Sequence, residues 1–138
     1  ADSRADLIAV QDGARPLITP ELFDAVAESA QITNASAPAV PVTDTIKVAD
    51  ENGVVRSTPE RTTLYAVQTP QVFQAELLKA ALQSAITCGV NITDDCAAVE
   101  RLGKQVQLVP GDGENIKITR PLDLTVAEAI LEKREERA

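Results

Sequence analysis

Apolar and polar positions alternate along this chain in two rhythms. DLIAV (6–10) is a continuous apolar run ended by Gln11-Asp12-Gly13, which predicts a strand covered on both faces, as in parallel sheets. APAVPV (37–42) predicts a second, with Pro41 marking its end or a bulge. LYAVQ (64–68), closed by Thr69-Pro70, and QVQLV (105–109) predict two more. Between them the period becomes helical. Thr19 and Pro20 are suited to an N-cap and first helical position, with Leu22, Val26 and Ala30 on one face. AELLKAALQSAI (75–86) puts Leu78, Leu82 and Ala85 or Ile86 on one stripe. Thr93-Asp94-Asp95 opens a short helix ending near Gly103, and Pro121 opens a last one carrying Leu124, Ala127 and Leu131. Strands alternating with helices predict an α/β domain with a mostly parallel sheet.

Two stretches depart from that alternation. TIKVAD and VVRS flank Asn52-Gly53, a strong hairpin signal inside a long half-polar excursion, residues 41–71. NIKIT (115–119), after the turn GDGEN (111–115), alternates as a strand does. Ile116 and Ile118 face one way, and Asn115, Lys117 and Thr119 the other.

The 138 residues fit one domain, without repeat, low-complexity tract or linker. Aromatics are 2% of the chain (Phe23, Phe73, Tyr65), so the core must be aliphatic. Residues 1–6 do not resemble a signal peptide, and no apolar run approaches membrane-spanning length. With no methionine present, the chain is read as a cytoplasmic fragment, either trimmed of a leader or the C-terminal part of something longer. Cys88 and Cys96 stand in a chain without histidine, which excludes a Cys/His zinc site and a histidine acid/base relay. Both are expected as small apolar residues in a reducing compartment. A net charge of −8, from 21 acids and 13 bases, argues against nucleic-acid binding, as does the lack of stacking aromatics. Yet Arg15, Lys47, Arg61, Lys117 and Arg120 all fall in loop-like stretches. A local cationic site in an acidic protein suits a small anionic ligand.

Three places carry candidate chemistry. Asp12-Gly13-Ala14-Arg15-Pro16 directly follows the first strand, where open α/β sheets bind ligands. An acid and a guanidinium there suit a metal, or a ribose and a phosphate; the alternative is a local Asp–Arg pair in a turn. Lys117, pinned between two isoleucines and given no dedicated partner, suits a point-charge contact to phosphate; the alternative is a solvated edge-strand lysine. Thr45 and Arg61 lie on either side of the Asn52-Gly53 turn, and a hairpin that folds back brings a hydroxyl and a guanidinium together.

DGARP, PVTDTIK, TPERTTLYAVQTPQVF, NITDD and ENIKITRPLDL occur in an order and spacing that resembles the 2-C-methyl-D-erythritol 4-phosphate cytidylyltransferase family, over nearly the whole chain. The resemblance implies a Rossmann-like fold of the nucleotide-diphospho-sugar-transferase kind, of which residues 1–138 form the C-terminal part. It also implies transfer of CMP from CTP to 2-C-methyl-D-erythritol 4-phosphate with Mg2+, releasing pyrophosphate, in non-mevalonate isoprenoid biosynthesis. Carried over by motif, Arg61 and Lys117 position the attacking phosphate, and Thr45 contacts the methylerythritol phosphate. Asp12 and Arg15 border the nucleotide and substrate, with Asp12 near the metal, and Thr69 lines the same region. The 41–71 excursion then becomes an arm reaching over the partner subunit of a homodimer.

Two departures stand out. Gln11 and Gly13 replace a histidine and an alanine of the family's His-Asp-Ala-Ala-Arg-Pro motif, and the 138 residues hold no counterpart of its Gly-rich CTP loop. Other readings are a ribitol-5-phosphate cytidylyltransferase and, for these residues alone, a non-catalytic dimerisation module. PVTDTIK and TDDCAAVE weigh against the ribitol enzyme.

Overall fold

Val72 and Phe73 are neighbours on one strand, and each buries its side chain in a different core. A computed structural model describes residues 6–137; residues 1–5, which the signal-peptide reading concerns, lie outside those described. The elements are β1 Leu7–Val10, α1 Pro20–Thr33, β2 Ala35–Pro41, β3 Val48–Ala49, β4 Val55–Ser57, a 3-10 turn Arg61–Thr63, β5 Tyr65–Val67, β6 Gln71–Gln74, α2 Ala75–Thr87, α3 Asp95–Arg101, β7 Gln107–Pro110 and α4 Pro121–Arg137.

The main sheet runs β1-β6-β2-β5, with β7 joined to β2. Phe73 stands opposite Ile8 on β1 and Ala35 on β2, and Ala37 opposite Leu108 on β7. On one face Phe73 packs with Ala35, Ala37, Leu78, Ala81, Cys96, Ala98 and Val99, sealing α2 and α3 to the sheet. On the other, Val72 packs with Leu22, Val26 and Ala30 of α1. The helices are specified locally. Thr19 Oγ1 accepts the Leu22 N–H (3.2 Å), Gln74 Oε1 the Leu77 N–H (2.7 Å) and Asp94 Oδ1 the Ala97 N–H (2.8 Å), each satisfying a donor that a helix start leaves open.

The α/β class holds, as a mixed sheet flanked by helices. Among the described residues β2–β7 is the parallel pair, while β1–β6, β2–β6 and β2–β5 run antiparallel. A continuous apolar run reports burial on two faces but not strand direction, which the connections decide. Four further details differ from expectation. QVFQ (71–74) forms the inner strand β6, between β1 and β2, where its closeness to the α2 pattern hid it. NIKIT lies outside the strands. Its isoleucines instead pack on Leu17, Ala127 and Ile130, and Ile118 N–H donates to Ala14 O (2.8 Å). In α4 the buried pair is Ala127 and Ile130, with Leu124 and Leu131 exposed. In α2, Ile86 is exposed while Ala81 joins Leu78 and Ala85 inside.

Cys88 is exposed and Cys96 buried, both as free thiols. Burial, with Asp94, Glu100 and Asp95 nearby, pushes the Cys96 thiol up to about 12, so it stays a small apolar residue of the core. No described helix is long and apolar enough to cross a membrane.

Candidate active site

Because β6 runs against β1, Val10 stands opposite Gln71. The end of β1 therefore meets the segment entering β6, and the turn after β7 closes over both. Three loops converge there: Gln11–Arg15, Gln68–Pro70 and Gly111–Lys117.

Asp12 occupies the first loop as an Asx turn. Its Oδ1 accepts the Ala14 N–H (2.9 Å), and its carbonyl accepts the Arg15 N–H (3.0 Å). Gln11 Nε2 donates to the Asp12 and Arg15 carbonyls (3.2 and 3.0 Å), bracing the turn where the resembling family has histidine. With Oδ1 engaged, Oδ2 faces outward and meets Lys117 Nζ at 3.2 Å. Lys117 thus has a partner, contrary to the sequence-based expectation; packing of Ile116 and Ile118 leaves its side chain on the side where Asp12 lies. The Ala14 N–H, then the Lys117 ammonium, hold the Asp12 carboxyl below its ordinary range.

Asn115 and Gln68 hold the other two loops together. Asn115 is fully buried; its Nδ2 donates to Thr69 O (2.9 Å) and Gln68 Oε1 (3.3 Å). Gln68 Nε2 donates to Asp112 O (2.9 Å), and Gln68 Oε1 also accepts the Asp112 N–H (3.3 Å). Arg15 Nη1 donates to Asn115 O at 2.7 Å, and the Asp12 N–H donates to Thr69 Oγ1 at 3.1 Å. Room for this crossing depends on Gly111. A Cβ there would lie 2.7 Å from Gln68 Oε1 and 3.1 Å from the Ala39 backbone. Sequence reasoning placed Asn115 merely beside Lys117 and left Gln68 unremarked. The available signal was an amide at the rim of an apolar run, which must find partners once buried.

Asp12, Arg15, Thr69 and Lys117 therefore come together. Thr45 and Arg61 are exposed on the arm. Arg61 Nη1 donates to Thr43 O at 2.9 Å, so the hairpin does fold back toward the Thr45 segment. The arm is pinned elsewhere by Lys47 Nζ to Thr58 Oγ1 (2.9 Å) and Arg56 to Asp50 (2.6 Å), with Gly53 at φ +80° in its turn. Neither Thr45 nor Arg61 has a hydrogen bond or ion pair to the Asp12–Lys117 cluster among the described residues.

What this arrangement can do is bind anions. Lys117 presents an ammonium half exposed to solvent, and Arg15 a guanidinium anchored through one nitrogen. The donor set for a metal is lean. Among the described residues no group of three or more His, Cys, Asp or Glu could hold an ion. Asp12 alone fits Mg2+ only where ligand phosphates and water complete the shell, the usual way such ions bind. Three grooves of about 490, 410 and 630 Å³ are lined by none of Asp12, Arg15 and Lys117.

Comparison with known proteins supplies the family. The family model of IspD, 2-C-methyl-D-erythritol 4-phosphate cytidylyltransferase, matches residues 1–133. The chain belongs to that family. A curated relative from Caldanaerobacter subterraneus subsp. tengcongensis, bearing the same description, is 49% identical over 132 residues, 96% of this chain. The crystal structure of the enzyme of that name from Thermus thermophilus superposes with a TM-score of 0.82 at 38% identity, covering 91% of this chain and 62% of its own. The 4-diphosphocytidyl-2C-methyl-D-erythritol synthase of Anaerococcus prevotii superposes at 0.88 with 32% identity, covering 96% of this chain and 61% of its own. The chain spans 58% of the length of the Caldanaerobacter relative.

Proposed function

We propose that this chain carries the acceptor-substrate side of a cytidylyltransferase that moves CMP from CTP to 2-C-methyl-D-erythritol 4-phosphate, in the cytoplasm. The observation that carries the reading is the convergence of Asp12, Arg15, Thr69 and Lys117 at one end of the sheet's strands in a member of this family. A phosphate oxygen of the acceptor attacks the α-phosphorus of CTP. That P–O bond forms as the bond from the α-phosphorus to its bridging oxygen breaks, and pyrophosphate leaves with the electron pair. Acceptor and donor are both anionic, so the protein's task is to hold two phosphates together in line and offset their repulsion. Lys117 and Arg61 are the cations assigned to the attacking phosphate. Thr45 and Thr69 offer hydroxyls, and Arg15 borders the nucleotide.

Mg2+, when bound, would supply charge neutralisation across the triphosphate, with Asp12 as its protein ligand. Asp12 otherwise orients Lys117. Arg61 reaches this site by crossing to the other subunit of a homodimer. Exposed Ile46, Val48, Val54 and Val55 on the arm, and Tyr65 at its base, support an arm that packs on a second copy. A polyol other than methylerythritol is not favoured, since the matched relatives carry the methylerythritol name. The test joins these residues to the N-terminal part of a relative and assays CTP with methylerythritol phosphate and with ribitol 5-phosphate. The 138 residues alone, without a Gly-rich loop for the triphosphate, are expected to be inactive. Turnover by them unaided, or a preference for ribitol 5-phosphate, would overturn the proposal.

A further inference from the structure

Three contacts and one short stretch of chain form a closed circuit through all three loops. The Asp12 N–H is tied to Thr69 Oγ1, and Thr69 O to Asn115 Nδ2. Asn115 leads along the chain to Lys117, and Lys117 Nζ returns to Asp12 Oδ2. The link that closes it from inside is the Asn115 amide, which is wholly buried. Its other side-chain atom, Oδ1, is buried without a partner, as is Nε of Arg15, whose Nη1 grips the Asn115 carbonyl. A position chosen for packing alone would hold an apolar side chain and orphan no oxygen there. The Oδ1/Nδ2 assignment is itself determined by the neighbours, because Thr69 O and Gln68 Oε1 can only accept.

We infer that Asn115 is a positioning residue for the transfer reaction. Its buried amide clamps the Lys117 segment to the Thr69 turn and so sets where the Lys117 ammonium sits relative to Asp12 and the bound phosphates. Ile116 and Ile118 hold their segment against α4, which fixes its depth, while Asn115 fixes its distance from the Gln68–Pro70 loop. Gln68 assists by sharing its Oε1 between Asn115 Nδ2 and the Asp112 N–H.

The inference rests on the role proposed for Lys117, and the test separates the two. Amide hydrogen exchange is measured on the chain with Asn115→Ala. The Asp12 and Ile118 N–H groups, donated to Thr69 Oγ1 and Ala14 O, should exchange about tenfold faster, the scale of one lost hydrogen bond. Amides of the β1–β6 pairing should not change. In the active full-length enzyme the same change should lower kcat by up to about 100-fold, with KM for CTP nearly unaltered. Should Asn115→Ala fail to fold, Asn115→Ser keeps a shorter donor and is measured the same way. Unchanged exchange at Asp12 and Ile118, or acceleration shared equally by the sheet, would overturn the positioning role. Normal turnover by Lys117→Ala, with the Asn115 exchange effect intact, would instead remove Lys117 from the proposed reaction while leaving the clamp in place.

Discussion

Lys117 Nζ and Asp12 Oδ2 lie 3.2 Å apart and join loops from opposite ends of the chain. The Ala14 N–H and then this ammonium hold the Asp12 carboxyl below its ordinary range. A carboxylate depressed in the folded state contributes stability above its unfolded pKa, about 3.9 for aspartate. That contribution is lost as pH falls through the folded value. Asp12→Asn should therefore melt below the parent protein at neutral pH, and the gap should close as the solution is acidified beneath the ordinary carboxylate range. Melting curves at several pH values check this. A gap that persists unchanged in acid would mean the carboxylate charge is not what stabilises the turn.

The elements legible in the sequence are those whose signal is local. Thr19-Pro20 and Asp94 start helices where their side chains cap them, and Asn52-Gly53 turns a hairpin with Gly53 at positive φ. β6 was not legible, because QVFQ runs straight into a helix and its identity as a strand comes from partners β1 and β2. NIKIT misled in the opposite way. Its alternation is real, but the isoleucines find Leu17 and α4 rather than a neighbouring strand. For the site, Asp12, Arg15 and Lys117 could be picked out by residue type and motif. Their mutual contact could not, since Asn115 and Gln68 bring it about across long separations that no local pattern encodes.

Gly111 shows how little slack that crossing has. Its absent Cβ would stand 2.7 Å from Gln68 Oε1 and 3.1 Å from two backbone atoms of Ala39. The Gln68 side chain can shift only by giving up its bonds to Asp112 and Asn115, and the β2 backbone has no such freedom. Gly111→Ala should cost about 1–3 kcal/mol, the range for overpacking, and lower activity with it. Denaturant unfolding gives the number. A neutral result would show that the loop relaxes freely, and would weaken the case for a rigid junction under Lys117.

The arm makes a prediction about assembly. β3 and β4 are exposed on both faces, and an isolated two-stranded hairpin is marginal in water. Packing on a second copy through residues 41–71, as proposed, would resolve this. Light scattering should therefore give a dimer at micromolar concentration, and Ile46→Asp with Val55→Asp should shift it toward monomer. If Arg61 serves the partner's site, mixing full-length Arg61→Ala subunits with Lys117→Ala subunits should regain activity at one site of each heterodimer. Failure to regain it would keep Arg61 within its own subunit's site.

Removing the Lys117 ammonium addresses the chemistry most directly. Its side chain is half exposed and its contact is to an Asp12 carboxylate that also holds the Ala14 N–H and faces solvent. Truncation therefore strands no buried charge, and Lys117→Ala should fold with a melting temperature close to the parent's. In the proposed reaction two anionic substrates must still be brought together, and without a fixed cation their repulsion would be offset less in the transition state. The full-length variant should lose about two orders of magnitude in kcat, the scale for one preorganised electrostatic contact. Lys117→Arg should recover little. A planar guanidinium spreads its charge and would fork onto the Asp12 carboxylate rather than present a compact point charge beyond it. Initial rates against methylerythritol phosphate at saturating CTP, with a melting curve on each variant, decide the matter. Near-normal turnover by the alanine variant would leave the Asp12–Lys117 pair as a surface ion pair, whose median worth is about 0–1 kcal/mol.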